Sequence, residues 1–108
     1  RIIGMPLTSL VANLSPEHEA LQILGDGTIR PDGTVLIRVA GDGARFCFNV
    51  GREHSSSTIY YVLDEAAGVA WIRCWCRKGT CAVWKSNAYR LVADTIQKDR
   101  IPPQFRWS

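Results

Sequence analysis

The feature that most narrows what this chain can fold into is a set of sulfur and imidazole side chains in two pairs. Cys47 and His54 are separated by six residues, and 21 residues further on come Cys76 and Cys81, separated by four. Between the pairs lies "STIYYVLDEAAGVAWIRCWC", two β-rich runs at 58–63 and 69–75 joined by the turn-like "DEAAG". A hairpin begins and ends on the same side, so it returns the second pair to the first. Three thiolates and an imidazole suit tetrahedral zinc, and four protein donors leave no open position, so the ion would be structural rather than hydrolytic. Gly51 and Gly79 permit sharp turns in the two ligand loops. A chain of 108 residues buries only a modest core. A site of this kind contributes strongly to folding, with apparent affinities of about 10–16 kcal/mol in isolated fingers.

The chain has four cysteines, and alternatives stand beside the zinc reading. Two disulfides would allow three connectivities, but nothing indicates secretion, and Cys74 and Cys76 are too close for a rigid pairing scheme. Unpaired buried cysteines are a further option. Strand alternation puts Trp71, Arg73 and Trp75 on one face and Ile72, Cys74 and, if the strand continues, Cys76 on the other. Cys74 is therefore an alternative third ligand, although the loop spacing favours Cys76 with Cys74 buried. His18 is far from the cluster in sequence and is expected at the surface.

Charge is unevenly spread. The net charge is +3, but residues 1–44 balance at −2 and residues 45–90 at +4. The basic excess coincides with the Cys/His region, which suggests a polyanion near the metal or a solvated basic surface. No apolar stretch is long enough to cross a bilayer, so no membrane role is expected. Residues 1–14 lack the pattern of a cleavable leader, and the initial arginine suggests a piece of a larger protein.

The remaining signals predict a single α+β domain: a small zinc-stabilised unit of β-hairpins and antiparallel sheet flanked by short helices. "SPEHEALQIL" carries helix-start chemistry in Ser15, Pro16, Glu17 and Glu19, predicting a helix over 16–24 that ends at Gly25. Pro31-Asp32-Gly33 is a tight turn before a strand at 34–39, and a further strand is expected at 45–50. "SNAYRLVADTIQK" has apolar residues at helical spacing (Ala88, Leu91, Val92, Thr95 and Ile96), capped by Ser86 or Asn87 and stopped by Pro102-Pro103.

The stretch "RFCFNVGREHSSSTIYYVLDEAAGVAWIRCWCRKGTC" resembles the zinc-binding C-terminal module of the primase-polymerase and herpesvirus-type DNA primase family, within the archaeo-eukaryotic primase superfamily. The resemblance lies in Arg45, Cys47, Asn49-Val50-Gly51-Arg52, His54 and Ser56, then an apolar hairpin, then Cys76-x4-Cys81, and it covers roughly 45–85. The spacer between ligand pairs is slightly longer here than in the primase-polymerase pattern, and Cys74 is an addition to it. The resemblance implies an accessory module over 45–108, and the helix and hairpin read in residues 1–44, which the resemblance does not reach, are expected to pack on it. It further implies that the module engages a single-stranded DNA template and the 5′ triphosphate of the initiating nucleotide. Nucleotidyl transfer, with Mg2+ or Mn2+, would belong to a separate catalytic domain of the same protein. A helicase or other replication protein is a further candidate partner, and the nucleus, or else the mitochondrion, is the implied location.

Arginine grips phosphate bidentately and holds its charge at any physiological pH. Arg45 and Arg52 each precede a ligand by two residues and are the first candidates for the triphosphate, followed by Asn49, Arg77 and Lys78. The fragment itself offers no acid/base constellation: Asp64-Glu65 fall in a hairpin turn, and Asp26, Asp32 and Asp42 each neighbour glycine in turns. Trp71, Trp75 and Trp84 either pack in the core or stack on unpaired bases. Two other functions compete: a general single-strand-binding module without preference for triphosphate ends, and a zinc-shaped docking module for a protein partner.

Overall fold

β-Branched and aromatic runs, broken at short intervals by glycine, leave little room for helix. The computed structural model describes residues 4–92. Among them there is no α-helix, only 3-10 turns at Leu7–Ser9, Pro16–His18 and Gly79–Ala82 and seven strands. The strands are β1 (Gln22–Ile29), β2 (Val35–Ala40), β3 (Phe46–Cys47), β4 (Arg52–Glu53), β5 (Ile59–Asp64), β6 (Val69–Cys74) and β7 (Tyr89–Arg90). Five form one antiparallel sheet in the order β1-β2-β5-β6-β7, while β3 and β4 pair separately. Among the described residues the fold is thus mostly antiparallel sheet, with single turns in place of the expected α component.

The helix expected over 16–24 is corrected by the structure. Ser15, Pro16 and Glu17 do open a helical turn, but it closes after one 3-10 turn. Leu21 and Ile23 then bury on alternate positions, a two-residue period. Gly25 and Gly27 would each cost a helix about 1 kcal/mol relative to alanine, whereas in β1 they occupy a bulge between Leu24 and Thr28. Residues 4–7 cover the free edge of β1: the Gly4 N–H donates to the Ile23 carbonyl, Ile23 to Met5, and Leu7 to Leu21. The same segment then crosses to the opposite edge, where Ala12 donates to the Arg90 carbonyl and Val92 to Leu10. Leu7, Leu10, Val11 and Leu14 are buried along this crossing. It covers the face carrying Ile37, Tyr61 and Ile72, which lie opposite one another on β2, β5 and β6 and are fully buried.

The central hairpin forms where the alternation places it, β5 on β6 from Ile59↔Cys74 to Asp64↔Val69. Its turn is closed by the Ala67 N–H donating to Asp64 Oδ1. The Pro31-Asp32-Gly33 turn is held by the Thr34 N–H and hydroxyl, both donating to Asp32 Oδ1. The strand expected at 45–50 shrinks to Phe46–Cys47, because the chain turns back at Gly51, whose N–H donates to the Cys47 carbonyl and whose φ is 72°. The helix expected from Ser86 is not formed in the described part. Ser86 exchanges hydrogen bonds with Ile72, accepting its N–H on Oγ and donating its own N–H to the Ile72 carbonyl, and Tyr89–Arg90 pairs with β6. Thr95, Ile96, Pro102 and Pro103 lie outside the described residues.

Candidate metal centre

Two short loops and the end of one strand bring four donors together. Cys47 ends β3 and is fully buried, and His54 follows β4, its N–H donating to the Arg45 carbonyl. Cys74 is the last residue of β6 and points to the core side with Ala70 and Ile72. Cys81 sits in the 3-10 turn Gly79–Ala82, entered through Gly79 at φ 57°. One donor atom from each of Cys47, His54, Cys74 and Cys81 lies within 4.8 Å of all the others.

The separations match what one ion requires. Bonds of about 2.3 Å to sulfur and 2.0–2.1 Å to nitrogen, at tetrahedral angles, put sulfurs about 3.8 Å apart and sulfur and nitrogen about 3.6 Å apart. Cys47 Sγ is 3.9 Å from Cys81 Sγ, while His54 Nε2 is 3.7 Å from Cys81 Sγ and 3.3 Å from Cys74 Sγ. All four cysteines are free, and 3.9 Å is far beyond a disulfide bond. Burial pushes the Cys74 thiol well up, the Cys76 N–H pulls the other way, and the neighbouring Cys47 and Cys81 sulfurs add to the rise. Three thiolates cannot share this space as bare anions, and a divalent cation reverses that balance.

The third position differs from the expectation drawn from loop spacing. Cys74, not Cys76, lies within the group, and Cys76 instead directs its backbone N–H at Cys74 Sγ, 3.4 Å away. The strand ends at Cys74, so the alternation that would have put Cys76 beside it stops one step short. That alternation, with Cys74 on the Ile72 face, was the signal in the sequence for the other choice. A supporting shell surrounds the donors. Asn49 Nδ2 donates to Cys81 Sγ at 3.2 Å and to Thr80 Oγ1 at 2.8 Å, linking the two ligand loops. Such hydrogen bonds orient a ligand and tune its basicity.

His18, expected at the surface, is fully buried and braces this site from behind. Its Nε2 lies 3.0 Å from the Phe46 carbonyl and its Nδ1 2.7 Å from Tyr61 Oη. A carbonyl only accepts, so Nε2 carries the proton, and Nδ1 of the neutral ring accepts from the Tyr61 hydroxyl. Burial lowers the His18 pKa, against smaller opposite effects of the Phe46 carbonyl and Glu17, and burial pushes the Tyr61 phenol up, so both stay neutral. Phe48 packs on the ring with centroids 5.0 Å apart. Gly43 fits against the same turn so closely that a Cβ there would collide with the Glu17 carbonyl. Nothing near His18 in sequence announces this, because its partners are 28 and 43 positions away.

The basic candidates are distributed around the donors. Arg52 and Lys78 line one groove of about 330 Å³ together with His54, Cys76, Thr80 and Cys81. Arg45 is outside that lining; its Nη1 donates to the Ser55 carbonyl at 2.8 Å, and its Nη2 is 3.7 Å from Glu53. Arg77 is exposed in the loop after β6. Trp84 packs against the core, whereas Trp71 stays on the outer face of β6 and Trp75, just past the strand, lies over Tyr60 on the same side.

A sequence model of the Herpesviridae UL52/UL70 DNA primase family matches residues 28–94, which hold all four donors. The chain belongs to that family. Neither the curated proteins nor the solved structures yield a match. In this herpesvirus-type primase segment the matched region begins just before the β1–β2 turn and takes in the sheet from β2 to β7 and both ligand loops. The crossing segment and His18 lie before it.

Proposed function

We propose that this chain is the metal-binding accessory module of a DNA primase. In this reading it carries a structural zinc ion on Cys47, His54, Cys74 and Cys81 and engages a single-stranded DNA template and the 5′ triphosphate of the initiating nucleotide. The observation that carries the reading is the four-donor group inside a primase-family segment, with a groove bearing Arg52 and Lys78 directly beside it. Cys47, His54, Cys74 and Cys81 would hold the ion, which would supply cohesion between the two ligand loops and the end of β6, while the protein side chains do the recognition.

A triphosphate at the end of a very short primer is dense charge on a weakly held ligand. Arg52 and Lys78 converge on the groove, where a fork-shaped guanidinium and a point-charged ammonium complement phosphate oxygens. Arg77 on the same loop adds charge, while Arg45 is shared with Ser55 and Glu53 and serves as the outer contact. Asn49 acts on the loops rather than on phosphate, since its amide is turned to Thr80 and Cys81. Holding the 5′ end raises the local concentration of the primer and slows its loss before extension. The chemistry of bond formation, with Mg2+ or Mn2+, belongs to the catalytic domain of the parent primase, and the family supports action in the nucleus alongside other replication proteins.

Two comparisons test the reading. The metal-loaded chain should bind an oligonucleotide with a 5′ triphosphate more tightly than the same strand with a 5′ hydroxyl, and Arg52→Gln should abolish the difference. In the parent primase, loss of any donor should stop de novo priming and spare extension of a supplied primer. Equal affinity for both ends, or equal loss of both activities, would leave a general single-strand-binding module instead.

A further inference from the structure

The sheet has a second face, turned away from the crossing segment. The strand register lays two rows across four strands on this side, Thr28–Leu36–Val62–Trp71 and Leu24–Arg38–Tyr60–Arg73. They contain two arginines and no carboxylate; Tyr60 and Val62 at their centre are buried beneath their neighbours, Asp64 follows on the same side of β5 at the hairpin turn, and Asp26 lies in the bulge of β1. On β6, Trp71 and Arg73 share this face, and Trp75, just past the end of the strand, joins it by stacking on Tyr60, the cross-strand partner of Arg73. Trp75 is 38% exposed and lies over Tyr60, with ring centroids 4.1 Å apart and planes 32° apart. Lys85 Nζ sits 4.2 Å from the centre of the Trp71 ring. Arg73 makes one hydrogen bond, Nη2 to the Ala82 carbonyl at 3.3 Å, and its buried Nε has no partner among the described residues.

We infer that this outer face is a stacking platform for the unpaired bases of a single-stranded nucleic acid, with Trp75 as the contact ring. The inference rests on the reading of the chain as a template-engaging module and locates where the template lies. Tyr60 backs Trp75 on one side, so a base meets a rigid ring rather than a mobile one. Aromatic rings interleaved with Arg73 and with Lys85, a residue type that protein interfaces tend to exclude, fit a ligand that alternates flat π surfaces with phosphate charges. Trp75 immediately follows Cys74, so the platform begins at the metal centre and runs away from it along β6.

The test is equilibrium binding of the metal-loaded chain to an oligodeoxythymidylate with a 5′ hydroxyl, which removes any triphosphate contribution. Trp75→Ala should weaken binding by about 5- to 150-fold, the span that corresponds to removing one base–aromatic stack. Trp75→Phe should retain most of the affinity. Arg73→Gln should lower the steepness of the salt dependence by about 0.7 of a unit, the change expected when one phosphate of a single strand is no longer neutralised. Melting curves that match the parent chain secure the comparison, and Trp75→Leu, which keeps apolar bulk over Tyr60 but removes the π face and should lose affinity as Trp75→Ala does, covers the case in which Trp75→Ala fails to fold. Unchanged affinity in Trp75→Ala and Arg73→Gln, or no binding of the oligonucleotide by the parent chain, overturns the inference and leaves this face to a protein partner. The triphosphate preference abolished in Arg52→Gln is a separate readout, so failure of the platform and failure of the triphosphate reading are distinguishable.

Discussion

Replacing His18 by leucine tests the buried brace behind the metal loop. The ring is fully buried and makes two hydrogen bonds, to Tyr61 Oη and to the Phe46 carbonyl. Leucine fills similar space but leaves the Tyr61 hydroxyl, on a fully buried residue, without an acceptor. A buried polar group stranded in this way costs about 1–3 kcal/mol, and the missing bond to the carbonyl adds about 1 kcal/mol, so His18→Leu should destabilise by about 2–4 kcal/mol. Much of the first part should return in the double variant His18→Leu/Tyr61→Phe, because the stranded hydroxyl is then absent. Urea unfolding of the metal-loaded single and double variants gives the cycle, with an expected coupling of about 1–2 kcal/mol. A His18→Leu cost below about 0.5 kcal/mol, the range of ordinary surface substitutions, or strictly additive single losses, would refute the brace.

The same histidine gives a pH dependence. Its folded pKa is lowered by burial, so the unfolded chain binds the proton more readily, and stability is lost as pH falls below the ordinary histidine value of about 6.5. Metal binding is itself pH-dependent, so the quantity to follow is the difference between the parent chain and His18→Leu in urea unfolding, which should narrow as the pH falls. Asn49→Ala keeps all four donors but removes the hydrogen bond to Cys81 Sγ, and chelator competition should show metal affinity lowered about 10- to 100-fold. Gly43→Ala puts a Cβ into the Glu17 carbonyl at a φ of 94° and should cost more than about 1 kcal/mol in thermal unfolding.

The central hairpin was legible in the sequence because every signal there is local. Two β-rich runs flank a turn-like insert, β6 alternates along its length, and Asp64 stands ready to close the turn. The Pro31-Asp32-Gly33 turn was legible for the same reason, its side-chain hydrogen bonds reaching only two residues. Residues 16–24 misled because real helix-start chemistry is used up in one 3-10 turn, after which pairing with β2 and with residues 4–7 decides the backbone. His18 was illegible from its neighbours; only Tyr61, a core tyrosine needing a hydrogen-bond partner, hinted that something polar was buried nearby. In the four-donor group the residue types and both loops were legible, and which of Cys74 and Cys76 joins it turned on where β6 ends, which sequence spacing does not fix.

The central claim is that Cys47, His54, Cys74 and Cys81 close around one divalent ion. Metal content of the purified chain, measured for the parent and for Cys74→Ser and Cys76→Ser, addresses it most directly. The account predicts one zinc ion per chain in the parent and in Cys76→Ser, and a metal-depleted, chelator-sensitive chain in Cys74→Ser. A parent chain that binds no zinc, or a Cys76→Ser chain that loses the metal while Cys74→Ser keeps it, would contradict the account.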